Sequence, residues 1–476
     1  MDGGRHPDVD YHGSRFDFEQ SDAGAQEEAA SAANAMSTMT LTERLDKLPL
    51  RGFHRRLLLV SGLGWMFDAM DVLLVGSVLA VLGAEWGLSA DQRGFVLSAG
   101  FVGMFLGAAA AGMLADRFGR KALFQTTLLV YSAATGLCAL AGSLGSLLGL
   151  RFLVGLGLGG ELPVASTLVS EFSPARLRGL MIVLLESFWA YGAVLAALIS
   201  YLVIPSLGWR AAFLVGAVPA LYVLILRRGI PESPRYLASK GRLVEAEAVV
   251  SQVEGGNGSA TPPPSASATA VEERPRWSEL WRPPFARRTA MLWILWFGIV
   301  FSYYGIFTWL PSILSAQYPL VKTFEFNLII TLAQIPGYFS AAYLVERWGR
   351  KWTLATYLLA SAAGAFFFRQ AGGDAAILIW GSVISFFNLG AWGVVYTYTP
   401  ELYPTRIRGT GAGSAAAFGR IGGIVGPYVV ALLRPTPQAG TEGIFLMFAA
   451  IFLVIAANVF ILGEETRGGS LEKIAG

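Results

Sequence analysis

The chain is divided into apolar blocks of about 20 residues, separated by short breaks that carry charges, glycines or prolines. A helix rises 1.5 Å per residue and needs ~20 residues to cross ~30 Å of hydrocarbon, so repeated blocks of that length leave few folds open. Strands of a membrane barrel would alternate polar and apolar positions, and these blocks do not. The spans read from the pattern cover 57–83, 92–115, 122–142, 146–169, 178–204 and 210–228. After a long break they resume at 288–314, 324–345, 352–369, 376–399, 410–433 and 442–462. This predicts an all-α membrane protein with twelve transmembrane helices in two six-helix bundles. Composition agrees: 54% of residues are hydrophobic and 14% charged, where a soluble domain carries roughly 25% charge.

The two sets are copies of one unit. GMLADRFGRK at 112–121 returns as AYLVERWGRK at 342–351, and PARLRG at 174–179 returns as PTRIRG at 404–409. Glu171 and Glu401 keep the same offset. Parallel halves of this kind place a cavity between them near the bilayer midplane. Within the repeated motifs, Asp116, Arg117 and Arg120 answer to Glu346, Arg347 and Arg350, and Glu171 with Arg178 to Glu401 with Arg408. A carboxylate at a span's end can pair with arginines and a neighbouring helix end, so these residues are the expected gating motif.

Lysine and arginine fall in alternate loops: Arg55 and Arg56 before the first span, Arg120 and Lys121 after the second, Arg350 and Lys351 after the eighth. The opposite loops are acidic or neutral, which predicts both termini in the cytoplasm. The expected organisation is a disordered cytoplasmic tail (1–50), an N-terminal bundle (51–230), a linker with short helices (231–287), a C-terminal bundle (288–463) and a short cytoplasmic tail (464–476). The start of the chain lacks the layout of a cleaved signal peptide, so the first span is the expected insertion signal. Arginines gathered at span ends leave no nucleic-acid footprint. Cys138 is the single cysteine, and no metal-ligand cluster or nucleophile–base pair emerges, so neither cofactor, metal nor enzyme chemistry is expected.

A charge well inside a span costs at least ~2.5 kcal/mol on insertion scales, which makes each one a functional candidate. Asp68 and Asp71 stand at i and i+3 on the first span, close enough to raise one another's pKa and carry a proton. Arg151 and Glu186 join them as candidate proton-coupling residues. Arg420 lies about ten residues into span 11, in a half with no other deep acidic partner. Its planar fork suits a carboxylate. Two readings stay open for it: anchor of an anionic ligand, or a lock reaching across to Glu186 or Asp68. Trp189, Tyr303, Tyr304, Trp309, Trp392 and Tyr396 are candidates to hold a flat ring, with Gln334 and Asn388 as hydrogen-bond partners. Each aromatic taken alone fits a membrane belt equally well. The glycine run before Glu161 suits close helix approach better than phosphate binding.

The repeated D-R-x-G-R-K loop, the RFLVGLGLGGE segment from Arg151, PESPR after span 6 and the twelve-helix plan resemble the major facilitator superfamily. FDAMD at 67–71, GGELPVASTLVSE at 159–171, LLESFWAYG at 184–192, FSYYG at 301–305 and TLAQIPGYFSAAYLVERWGRK at 331–351 resemble the bacterial niacin (nicotinate) transporters. That resemblance implies a secondary active transporter importing nicotinate or a close aromatic monocarboxylate by alternating access with proton coupling. It also implies that Asp71 pairs with Arg151 as the proton-sensitive unit and that Arg420 holds the anion. The expected surroundings are a monomer in the inner (plasma) membrane. A carrier of another aromatic acid or organic ion, and a non-transporting receptor, are the alternatives.

Overall fold

The computed structural model describes residues 41–218, 230–255, 277–434 and 440–467. The chain divides into two compact units: Leu50–Ser233 with Val271–Gly476, and Met1–Pro49 with Pro234–Ala270.

Helices are the only regular secondary structure among the described residues of the larger unit. Its first half contains α1 (Gly52–Glu85), α2 (Ala90–Phe118), α3 (Arg120–Cys138), α4 (Leu144–Phe172), α5 (Arg178–Leu202) and α6 (Ile204–Gly216). Its second half contains α7 (Phe285–Phe307), α8 (Leu320–Trp348), α9 (Arg350–Phe368), α10 (Asp374–Glu401), α11 (Thr405–Leu433) and α12 (Gly440–Leu462). The sixth expected span reached residue 228, and 219–229 lie outside the described residues.

Nine of the described helices are long and apolar enough to cross a membrane by length and composition. The helices α3 and α9 are not among them: each is 19 residues long and opens on the Arg-Lys of the repeated motif, and both carry hydroxyl residues along their length. Thr126 and Thr127 bond back to the carbonyls of Ala122 and Leu123, and Thr356 and Ser361 to those of Trp352 and Tyr357, which satisfies each hydroxyl inside its own helix.

Helix pairing repeats with a shift of six. In the first half α2 packs on α4, α1 on α5 and α3 on α4; in the second, α8 packs on α10, α7 on α11 and α9 on α10. The halves meet through α2 against α11 and α5 against α8, contacts that exchange under the same shift. Close packing of α2 and α4 depends on glycine: a Cβ on Gly159 would lie 2.1 Å from the Met104 carbonyl oxygen.

Two serines set helix starts at the end away from the basic motifs. Ser89 and Gln92 exchange backbone-to-side-chain bonds of 3.2 and 3.0 Å at the start of α2, and Ser143 and Ser146 do the same for α4.

The basic motifs make the opposite end. Gly119 (φ 99°) turns α2 into α3 and Gly349 (φ 92°) turns α8 into α9, a backbone conformation that favours glycine. Glu232 then accepts bonds from the N–H groups of Arg120 (3.0 Å) and Lys121 (3.3 Å), while Glu465 accepts from those of Arg350 (2.9 Å) and Lys351 (3.2 Å). Each carboxylate meets the positive end of a helix whose first N–H groups have no partner within the helix.

The smaller unit joins distant segments. Helix Leu41–Lys47, within the stretch expected as a tail, belongs with helices Pro234–Ser239 and Leu243–Glu254. Arg44 binds Glu247 at 2.5 Å and Glu254 at 2.6 Å, and these bonds hold its guanidinium above the ordinary arginine range. Tyr236, Leu237 and Ala246 form the small core.

Candidate functional site

Where the two halves face one another, their apolar helix surfaces leave a cavity of about 90 Å³. One water needs ~10–15 Å³ on the same measure, so the space has room for a small single-ring molecule. From the first half come Trp65, Met104, Glu186 and Trp189; from the second come Trp296, Tyr303, Tyr304, Tyr338, Trp392, Tyr396 and Arg420.

The wall is a continuous aromatic network. Trp189 packs on Trp65 with ring centroids 4.8 Å apart, and on Tyr303 and Tyr304 at 6.2 Å. Tyr303 meets Trp392 at 6.1 Å, and Trp392 meets both Trp296 (5.6 Å) and Tyr396 (5.7 Å). The Trp189 indole N–H donates to the Tyr303 hydroxyl at 2.8 Å, which joins α5 to α7 across the halves. On the second-half side, Tyr338 donates to the Val183 carbonyl at 2.7 Å.

Arg420 is the charged member of this wall from the second half. It is partly exposed, and among the described residues no carboxylate comes within ion-pair distance of it. No ion pair therefore joins it to Glu186 or Asp68. Glu186, 4% exposed, stands on the opposing wall beside Trp65. Trp392 lines the cavity, and its indole N–H is buried without a partner.

Three expected members lie off the wall. Gln334 is buried behind it, accepting from Tyr303 at 3.4 Å with its amide nitrogen unpartnered. Asn388 is buried one turn before Trp392, and both of its side-chain polar atoms lack partners. Trp309 stands past the end of α7, its indole N–H donating to the Pro427 carbonyl at 2.9 Å. Conversely Trp65, Met104, Trp296 and Tyr338 line the cavity although the sequence reading did not select them. Their spacing carries a signal: Trp296, Val300 and Tyr303 fall at i, i+4 and i+7 on α7, and Trp65 precedes Asp68 by three on α1.

The buried charges of the first half form a separate arrangement. Arg151 donates to Asp71 at 2.7 Å, with Arg151 3% and Asp71 1% exposed. Thr135 on α3 donates to the other Asp71 oxygen at 2.6 Å. The pair borders a side chamber of about 30 Å³, and Met104 borders both this chamber and the main cavity. Asp68, 1% exposed, lies one turn from Asp71 with Tyr131 at hand, while Glu161 accepts from Thr127 at 2.9 Å.

The motif residues close each half at its own end. Arg120 pairs with Asp116 (2.9 Å) and Glu171 (3.8 Å), and Arg350 with Glu346 (3.3 Å) and Glu401 (3.0 Å). Of the other motif arginines, Arg178 donates to the Ser170 carbonyl and Arg408 to that of Tyr403, while Arg117 and Arg347 lie over the rings of Phe118 and Tyr343.

Comparison with known proteins agrees with this architecture. The family profile described as "Sugar (and other) transporter" matches residues 23–476. The niacin transporter NiaP of Acinetobacter baylyi is 53% identical over 438 residues, covering 92% of this chain and all of that protein. Organic cation/carnitine transporter 7 of Arabidopsis thaliana is 32% identical, covering 92% of this chain and 97% of that one. Among solved structures, the partially occluded inward-open xylose transporter XylE from E. coli superimposes with a TM-score of 0.72 at 18% identity, covering 88% of this chain and 100% of that one.

Proposed function

Since the chain belongs to the sugar (and other) transporter family of the major facilitator superfamily, a family of transporters and not enzymes, we propose that it imports nicotinate or a close aromatic monocarboxylate. The observation that carries this reading is Arg420, a guanidinium at the wall of an aromatic cavity with no carboxylate in ion-pair reach among the described residues. A buried or half-buried charge calls for a counter-charge. A flat pyridine ring with one carboxylate supplies both the charge and a surface for Trp189, Tyr303, Tyr304, Trp392 and Tyr396. The similarity to a niacin transporter supports the same substrate class.

On this reading Arg420 binds the carboxylate and the aromatics hold the ring, with Gln334 and Asn388 supporting the wall from behind. The buried Asp71–Arg151 pair, beside a chamber large enough for water, responds to protonation. Asp68 and Glu186 are further carriers. Met104 stands between the pair's chamber and the substrate. The halves 51–230 and 288–463 alternate access as bodies, both termini are cytoplasmic, and a monomer in the bacterial inner membrane is the working unit. The motif ion pairs at Arg120 and Arg350 brace the cytoplasmic end.

Uptake of labelled nicotinate into proteoliposomes, with and without an inward proton gradient, tests this for the wild type and Arg420→Ala. Saturable, gradient-driven uptake that the substitution abolishes is expected. Absence of uptake removes the substrate; indifference to the gradient removes the coupling; binding without accumulation marks a receptor.

A further inference from the structure

At the end of the bundle opposite the basic motifs, the halves close on one another. A Cβ on Gly94 of α2 would lie 2.6 Å from that of Ala431 on α11, and Ser98 donates to the Ile424 carbonyl at 2.9 Å. In this closed region two guanidiniums share one indole: Arg93 lies 5.5 Å and Arg434 5.4 Å from the ring centroid of Trp309. The two cations are therefore no more than about 11 Å apart, near the screening length of ~8–10 Å at physiological ionic strength. Arg434 spends one nitrogen on the Ser312 carbonyl (2.5 Å) and keeps its other terminal nitrogen buried without a partner. Arg93 makes a long bond to the Ser89 carbonyl at 3.4 Å. Among the described residues no carboxylate pairs with either. Burial and the facing Arg93 push the Arg434 guanidinium down to about 10, so it remains a cation at neutral pH.

Cation–π attraction contributes ~0.5–2 kcal/mol and does not cancel two like charges. The missing component is an anion. We propose that Arg93 and Arg434, presented over Trp309, form an entry site for small carboxylates, which are captured here before passing to Arg420. This rests on the import reading above for its substrate and on the positive-inside orientation for its side of the membrane. Each guanidinium belongs to a different half, so an anion bound between them would also be released when the halves separate.

Two measurements test it. The first is nicotinate uptake by Arg93→Gln/Arg434→Gln and by Arg93→Lys/Arg434→Lys at low and high ionic strength. The glutamine pair is expected to raise KM about ten-fold at low salt, leave the maximal rate within about two-fold and flatten the salt dependence, while the lysine pair retains it. The second needs no substrate: binding of iodide to the purified protein, read by equilibrium dialysis for the wild type and both pairs of substitutions. Iodide binding is expected to fall several-fold in the glutamine pair and to be retained in the lysine pair. Iodide binding that ignores the glutamine substitutions overturns the site. Reduced iodide binding with an unchanged KM puts the anion site off the entry route and overturns the proposal as well. Wild-type protein that fails to take up nicotinate but shows charge-dependent iodide binding sinks the substrate reading and leaves the anion site standing.

Discussion

The Trp189 indole donates to the Tyr303 hydroxyl at 2.8 Å, one hydrogen bond that spans the two halves at the wall of the cavity. Removing the donor with Trp189→Phe or the acceptor with Tyr303→Phe is expected to lower stability by ~1 kcal/mol each, and the double variant by scarcely more. Thermal unfolding in detergent reads this. Fully additive losses would show that the bond does not couple the helices.

Arg420 should discriminate charge and not ring shape. Losing a charge-assisted bond of ~1.5–3 kcal/mol weakens nicotinate binding roughly 10- to 150-fold in Arg420→Ala. Nicotinamide, with the same ring and no charge, should lose little. Competition binding with both ligands checks it, and equal losses would place Arg420 in the scaffold. Arg420→Lys should recover part of the affinity, since it keeps the charge without the fork.

Breaking the Asp71–Arg151 pair leaves a buried cation. Asp71→Asn should cost about 3–5 kcal/mol of stability, and Asp71→Asn with Arg151→Met should regain much of it. Proton-driven accumulation is expected to stay lost in the double variant while exchange of substrate across the membrane continues. A double variant that still accumulates substrate against a gradient would remove the pair from coupling.

Both motif glycines should resist substitution. Gly119→Ala meets the unfavourable positive φ, about 1–2 kcal/mol. Gly349→Ala meets a similar φ and also puts a Cβ 2.4 Å from the Glu465 carboxyl group, so it should cost more than the positive φ alone. Apparent melting temperatures of the two variants check both losses.

The helices and the twofold plan were legible because hydrocarbon demands long apolar blocks and because charges at span ends stand out. The pairings α2 with α4 and α8 with α10 follow the repeat read from GMLADRFGRK. Charges set inside the spans were legible for the same reason, as with the buried Asp71 and the partly exposed Arg420. The cavity's apolar wall was harder to read: Trp65, Trp296 and Tyr338 have the composition of lipid-facing residues, and only packing tells one face of a helix from the other. Trp309 shows the converse, an aromatic beside candidate residues in sequence that the end of α7 carries away toward Arg93 and Arg434. Glu232 and Glu465 escaped the fixed repeat offset, because three more residues separate Glu465 from PTRIRG than separate Glu232 from PARLRG.

Those two carboxylates also order the making of the protein. Glu232 reaches back 112 positions to the start of α3, and Glu465 reaches back 115 to the start of α9. During synthesis each third helix therefore waits with its amide groups unclasped until the sixth of its set has been inserted. The clasp that completes each half thus becomes available only once the last helix of that half has been made, and a stop late in either half is felt at a helix laid down long before it.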